Sequence, residues 1–352
     1  KESSAASDVY KRQAYTASDL MTASATSADI TTNTSGERFL SLKFTHRFSL
    51  LVLVPRISEY IAPAGATYTY WGTTADNHAN SVTLNGIIPY RMADGSFRAI
   101  VPPTTTASTL HGNYKDEAGR MVNFRSTPYS SGFTSGGCYT LTVTRSQPGV
   151  TPERKVAVGD FYMQNGMIVA GSKETLTAEE KVNCIGIVFK VGAGSGDNAS
   201  NYDGKLTAIQ GYVVSLRQEW LAWGDASKKW TDVLYDYRGY LNTKKILEGI
   251  NQGYSFPACK WCVEYTPKPT GMTSGWYFPS NDPVGDFANN ATTLNTYLNK
   301  VTGSTRISER YLTSTESSSD PVTRCTGRLV GDGATYYNLK SNALGVRAIL
   351  TF

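Results

Sequence analysis

The stretch GWYFPSNDPVGDFANNATTLNTYLNKV, residues 275–301, decides the fold of the second half of this 352-residue chain. Trp276, Tyr277 and Phe278 read as a short aromatic strand that Pro279 breaks. A helix should follow, with Asp282 as N-cap and Pro283 at the first helical position, where its missing N–H is not needed. From Val284 onward, Phe287, Ala291, Leu294, Leu298 and Val301 recur at spacings of three and four, one apolar helix face. Two later blocks follow in order: Tyr311–Glu316 (YLTSTE) and Gly345–Leu350 (GVRAIL), a buried strand running to Phe352.

Working outward, Val158–Tyr162 opens this half, and Cys184–Val191 is a continuous apolar run, a central strand. Residues 192–204 form a Gly/Asn/Asp loop, and Gly211–Leu216 is another strand. Asn242 is expected to cap a helix through Ile250, and Pro257 to begin one through Tyr265. The first half reads differently. Phe39, Leu40, Leu42 and Phe44, then Phe48 and residues 50–54, form one or two strands that Pro55 ends, with His46 near their centre. Asn85-Gly86 and Asp94-Gly95 are turn signals, and residues 97–101, 121–124 and 139–143 read as strands. Five to seven short strands at regular spacing predict a β-sandwich.

The totals exclude some functions. Thirty-four basic and twenty-nine acidic residues give a net charge of +5 without a basic cluster, so no nucleic-acid partner is expected. No run of about 18 apolar residues exists, so no membrane span is expected. The five cysteines are an odd number and scattered, which predicts mostly free, buried thiols. The three histidines, His46, His78 and His111, all lie in the first half, so the second half cannot build a nucleophile–histidine pair of its own. His46 is read as a hydrogen-bonded structural imidazole.

Two resemblances organise these signals. The run LSLKFTHRFSLLVLV (residues 40–54) after ASDLMTAS (residues 17–24), followed by VTLNGIIPYRMADGSFRAIVPP (82–103) and GGCYTLTVT (136–144), resembles the fimbrillin family of Bacteroidia-type pilins and surface lipoproteins. The blocks at 275–280, 311–316 and 345–350 resemble the C-type-lectin-like fold that formylglycine-generating enzymes share. Together they imply a mainly β chain with an α+β part: a fimbrillin-type (transthyretin-like) β-sandwich at 37–146, a linker at 147–155 and a C-type-lectin-like α+β domain at 156–352. Residues 1–36 read as the remnant of a truncated upstream segment. Residues 7–13 (SDVYKRQ) resemble translated adapter read-through, so any export or lipidation signal is expected further upstream.

Candidate chemistry is sparse. Cys259-Lys260-Trp261-Cys262 has redox or zinc spacing, but it lacks a thioredoxin-like context and any second ligand pair, so both thiols are expected packed on one helix face with Ala258 and Tyr265. Asn281-Asp282-Pro283 is read as capping rather than calcium ligation, and Asp197, Asn198, Asn201 and Asp203 as a solvated loop. No cofactor or metal is expected. Trp220, Trp223, Trp230 and Tyr237 could stack on sugar rings, although aromatic residues at this density are more often core, and Asn281 and Glu316 could bond hydroxyls, with a structural hydrogen bond an equal reading for Glu316.

The expected function is a cell-surface adhesin without enzymatic activity, probing a glycan or protein ligand and joined to other pilin subunits by strand exchange. Because the buried strand 346–350 leaves nothing over to donate, a pilus-tip position is expected. A non-pilus surface lipoprotein that binds glycans is the alternative, and a formylglycine-type enzyme a third reading.

Overall fold

The computed structural model describes residues 21–26, 29–76, 78–116, 118–146, 151–232 and 234–352. The protein is mainly β with some helices. It divides into two compact units, Lys1–Glu59 with Gly72–Thr151, and Tyr60–Trp71 with Pro152–Phe352. Residues 60–71 therefore leave the sandwich region expected at 37–146 and belong to the second unit. Residues 147–150 of the expected linker, and residues 1–20 and 27–28 of the expected remnant, lie outside the described residues.

In the first unit the strands are β1 (Met21–Thr22), β2 (Ile30–Thr32), β3 (Arg38–Leu40), β4 (Thr45–His46), β5 (Ser49–Ser58), β6 (Gly72–Ala75) and β7 (Asn80–Leu84), followed by β8 (Tyr90–Arg91), β9 (Phe97–Val101), β10 (His111–Lys115), β11 (Met121–Arg125) and β12 (Cys138–Arg145). One sheet runs β12-β5-β9-β8 with β6 also on β5, and a second runs β11-β10-β7. Leu51, Leu53, Phe97 and Ala99 of the first sheet meet Val82, Leu84, Tyr114 and Phe124 of the second in one core. This is a sandwich of alternating inward residues. Asn85 and Gly86 both take positive φ, 50° and 79°, the geometry a two-residue hairpin turn demands.

Two expectations fail here. Pro55 does not end its strand, because β5 pairs β9 over residues 49–53 and β6 over residues 56–58. The proline falls between these partners, where no ladder needs its N–H. Leu42 and Phe44 lie in no strand, between β3 and β4, and with Phe39 and Leu40 they are 45–58% exposed, as His46 is exposed. The pairs β2–β3 and β1–β4 are two-stranded and stand outside the sandwich sheets. Alternation identifies a strand; it does not supply a second layer to cover it.

The second unit contains β13 (Phe161–Met163), β14 (Ile168–Val169), α1 (Ala178–Asn183), β15 (Cys184–Val191), β16 (Gly211–Ser215), β17 (Glu219–Ala222), α2 (Gly239–Asn251) and α3 (Pro257–Glu264). It continues with α4 (Asn281–Asn289), α5 (Ala291–Leu298), β18 (Arg310–Glu316), β19 (Arg324–Leu329), β20 (Thr335–Leu339), β21 (Ala343–Val346) and β22 (Ile349–Thr351). Its sheets run β14-β13-β15-β16-β22 and β17-β21-β18-β19-β20. β22 is engaged on both sides, by β16 and by reciprocal bonds between Tyr277 and Ile349 of 2.9 and 3.1 Å. Residues 60–71 are tied in by Tyr68, Tyr70 and Trp71, all buried in this unit, and by the Tyr68 hydroxyl, which accepts the Val156 N–H at 2.8 Å. Arg154 completes the anchor, forming an ion pair with buried Asp160 while donating to the Tyr70 hydroxyl.

The apolar face of residues 284–301 is buried throughout, but Asn290 divides it between α4 and α5. The first helix starts one residue before Asp282: Ser280 is the N-cap, and its hydroxyl donates to the Asp236 carbonyl rather than capping. Pro283 still lies in the first turn, where its lost N–H has no helical acceptor. Asn242 is likewise not a cap. It sits inside α2, its side-chain amide donating to Ser314 Oγ at 3.3 Å. Pro257 does open α3, and Ala258, Cys259, Cys262 and Tyr265 are buried together.

Candidate functional site

The six residues singled out for ligand contact all fall in the second unit, but at different depths. Trp223 is fully buried, its indole N–H donates to the Thr313 carbonyl at 2.9 Å, and the Lys340 ammonium lies 4.4 Å from its ring centre. Glu316 is also fully buried and pairs with Lys340, itself fully buried. The same carboxylate accepts the N–H groups of Trp230 at 3.0 Å and Thr231 at 2.8 Å and the Thr231 hydroxyl at 3.1 Å. A buried charge needs such saturation, since desolvating an ion is costly without a partner and donors. Glu316 therefore fixes the loop after β17 and has no face for a ligand.

Tyr237 and Asn281 are interior too. The Tyr237 hydroxyl donates to Asp286, and burial together with that bond pushes its pKa up. Asn281 is 2% exposed and its amide donates to Thr335 Oγ1 at 3.3 Å. Only Trp230 and Trp220 reach the surface. Trp230 is half-buried, stacks against Tyr254 at 4.6 Å and carries Lys228 at 4.3 Å over its ring. Trp220 is 43% exposed on β17, an edge strand. The structure thus does not bring the six together into one open site.

The loop residues weighed for calcium also serve the fold. Asp197 is buried and accepts from the hydroxyls of Tyr202 and Tyr212, the latter at 2.7 Å. Asn198 caps the short 3-10 turn at Ala199–Tyr202. Among the described residues no group of three or more His, Cys, Asp or Glu side chains is arranged to hold a metal ion. Cys259 and Cys262 are free thiols whose pKa values burial drives up, so neither is a nucleophile at neutral pH.

The open groove of this unit is built from other residues. Arg217 and Gln218, between β16 and β17, and Glu219, which opens β17, face Trp261, Glu264, Tyr265 and Thr266 at the end of α3 across a cleft of about 360 Å³. A second hollow of about 560 Å³ adjoins it through the shared residues Arg217 and Tyr265, with Val182, Leu216 and Pro267 among its walls. Arg217 is clamped: its backbone N–H donates to the Tyr265 hydroxyl, and its guanidinium lies 5.7 Å from that ring centre and donates to the Thr266 carbonyl at 3.2 Å. Gln218 is oriented from behind, its carbonyl oxygen accepting from Tyr311 and from Arg347. Nothing in the sequence reading pointed to these residues, although Trp261 and Glu264, three apart on the helix, are its outward face.

No protein-family model matches the chain, and no curated protein matches it. Among solved structures it is similar to a fimbrial protein from Bacteroides ovatus, at 23% identity and a TM-score of 0.49, over 98% of this chain and 78% of that one. It is also similar to a candidate cell adhesion protein from Bacteroides uniformis, at 16% identity and a TM-score of 0.22, over 31% of this chain and 49% of that one. At these values we carry neither fold nor activity over from them. Among the described residues no helix is long and apolar enough to cross a membrane.

Proposed function

We propose that the protein is a fimbrial surface adhesin whose first unit accepts a strand from another pilin subunit and whose second unit does the recognising. The reading follows the fimbrillin-like and lectin-like sequence blocks, and the observation that carries it is the edge of β12. That strand pairs with β5 in parallel over eight residues, 138–145, and with no other strand among the described residues. An unpaired edge of this length is a template for strand addition unless it is guarded by charge, proline or a bulge. β12 has no proline, and its one charged residue, Arg145, is turned into an ion pair with fully buried Asp76.

The bonding pattern says which groups are open. Leu50 N–H donates to the Gly137 carbonyl at 2.8 Å, so alternate residues from 137 face β5. Thr140, Thr142 and Thr144 turn their backbone groups outward, the Thr140 carbonyl meeting the Tyr129 hydroxyl at 3.5 Å and the other two open. β22, by contrast, is buried and bonded on both sides, so it is no donor. An edge open along β12 suits a subunit that receives a strand from a neighbour.

Immunogold microscopy of producing cells, with antibody to residues 152–352, tests this using wild type and Thr142→Pro. Proline removes one outward N–H and leaves the β5 ladder intact. Gold at filament ends in the wild type, lost from filaments in Thr142→Pro, supports the proposal. Even label over the envelope without filaments sinks it and favours a non-pilus surface binder.

A further inference from the structure

We propose that the groove of Arg217, Gln218, Glu219, Trp261 and Glu264, with its apolar extension past Tyr265, binds a neutral oligosaccharide carrying an acetamido or deoxy group. This names the ligand class for the adhesin reading and rests on that reading only for its effect on cells.

Hydrogen-bond supply in the groove favours a sugar. Among the described residues Arg217 has no carboxylate within ion-pair distance and Glu219 no cation, and Glu264 has Lys268 in its field without a close ion pair, although Arg217, Glu219 and Glu264 line one cleft. Glu219 accepts only the neighbouring Trp220 N–H, at 3.0 Å. A cleft lined by a guanidinium and two carboxylates that do not neutralise one another offers strong donors and strong acceptors at once. A sugar hydroxyl is both donor and acceptor, and a pair of vicinal hydroxyls matches that mixture. Gln218 adds to it. Because Tyr311 and Arg347 hold its carbonyl oxygen, its amide nitrogen is the end left for a ligand.

Charge then selects within the sugars. The two hollows together are lined by Arg217 and Lys181 against Glu219 and Glu264, a balance that gives an acidic sugar no advantage. Stacking comes from Trp261, half-buried on the rim and steadied by Tyr265 at 5.2 Å between ring centres. The extension is mostly apolar: Val182 is 77% exposed there, with Leu216 and Pro267 beside it. Such a wall suits a methyl group, as on an acetamido or 6-deoxy substituent. Both volumes lie within the roughly 300–1,000 Å³ of small-ligand sites.

Gln218→Glu separates binding from folding. It keeps an oxygen for Tyr311 and Arg347 and replaces the amide donor with an acceptor. It also gives the guanidinium of Arg347, 1% exposed and paired with no carboxylate among the described residues, an anion at hand. The test uses the labelled full chain on an array of neutral acetamido- and fucose-bearing oligosaccharides, plain glucans and sialylated forms. Titration calorimetry then follows on the best-retained sugar. The neutral substituted sugars should bind, and Trp261→Ala, Glu264→Gln and Gln218→Glu should each weaken binding at least tenfold, the last with Tm unchanged or raised. No retained sugar, retention of sialylated forms alone, or affinity unchanged in Glu264→Gln and Gln218→Glu overturns the proposal. Cell adherence is read in parallel. Adherence lost on deletion of the protein but intact in Gln218→Glu leaves the adhesin standing and removes the groove; sugar binding lost in Gln218→Glu with adherence untouched by deletion does the reverse.

Discussion

The first unit leaves its longest outer strand unpaired on one side, where the second holds β22 between two partners. In the first, β12 has no strand on its outer edge among the described residues, and Phe39, Leu40, Leu42 and Phe44 are half exposed. In the second, β22 is bonded on both sides, aromatic rings pack edge-to-face through the interior, and even the charges of Glu316, Lys340 and Arg347 are buried. The difference teaches where partners can enter. An eight-residue edge such as β12 invites another strand, whereas the edges β14, β17 and β20 of the second unit are two to five residues long and leave recognition to side chains at the rim.

The largest effect that could break this contrast lies in the buried pair. Lys340→Ala leaves Glu316 charged and buried without its cation, and should cost about 3–5 kcal/mol of second-unit stability. Replacing both, Glu316→Gln with Lys340→Met, should recover much of that loss, because no lone charge then remains. Urea unfolding followed by tryptophan fluorescence reads both, since Trp223 sits against Lys340. Equal unfolding midpoints for Lys340→Ala and wild type would show that the second unit is not closed by its buried charges.

Glu316 reads equally well from the sequence as a ligand contact or as a structural hydrogen bond, and the structure places it in the core. A carboxylate beside a run of serines looks exposed, and only Lys340, far along the chain, shows that its charge is met inside. The same limit hid residues 60–71, whose aromatics pack with a unit that starts some eighty residues later. What was legible was local. The apolar face of 284–301, the Asn85-Gly86 turn, the central strand at 184–191 and the packed thiols of α3 all follow from spacing within a dozen residues. The groove was not legible because Arg217–Glu219 and Trp261–Glu264 meet only after folding, and each alone reads as ordinary polar surface.

A middle-sized effect sharpens the reading of the first unit. Leu53 and Phe44 belong to one apolar run in the sequence, yet Leu53 is fully buried and Phe44 is 58% exposed. Leu53→Ala should destabilise the first unit by about 2–5 kcal/mol, the range for truncating a core leucine. Phe44→Ser should stay within about 0.5 kcal/mol, as surface changes do. Thermal unfolding of each variant decides it. A large loss for Phe44→Ser would mean that this strip is covered within the monomer, and the unit would then be less open than its strands indicate.

The smallest effect concerns reactivity rather than stability. Of the five cysteines, Cys184, Cys259, Cys262 and Cys325 are buried, and Cys138, at the start of the open strand β12, is exposed. Burial pushes the thiols of Cys184 and Cys325 up to about 12, so at pH 8 they hold almost no thiolate. A thiol reagent applied to the native chain should therefore modify one cysteine, and five after denaturation. Adding a strand peptide that occupies the β12 edge should slow the single native reaction, because Cys138 lies at the first position of that edge. Rapid native modification of two or more thiols would show that the second unit opens readily, and the contrast between an open and a closed unit would fail at its closed end.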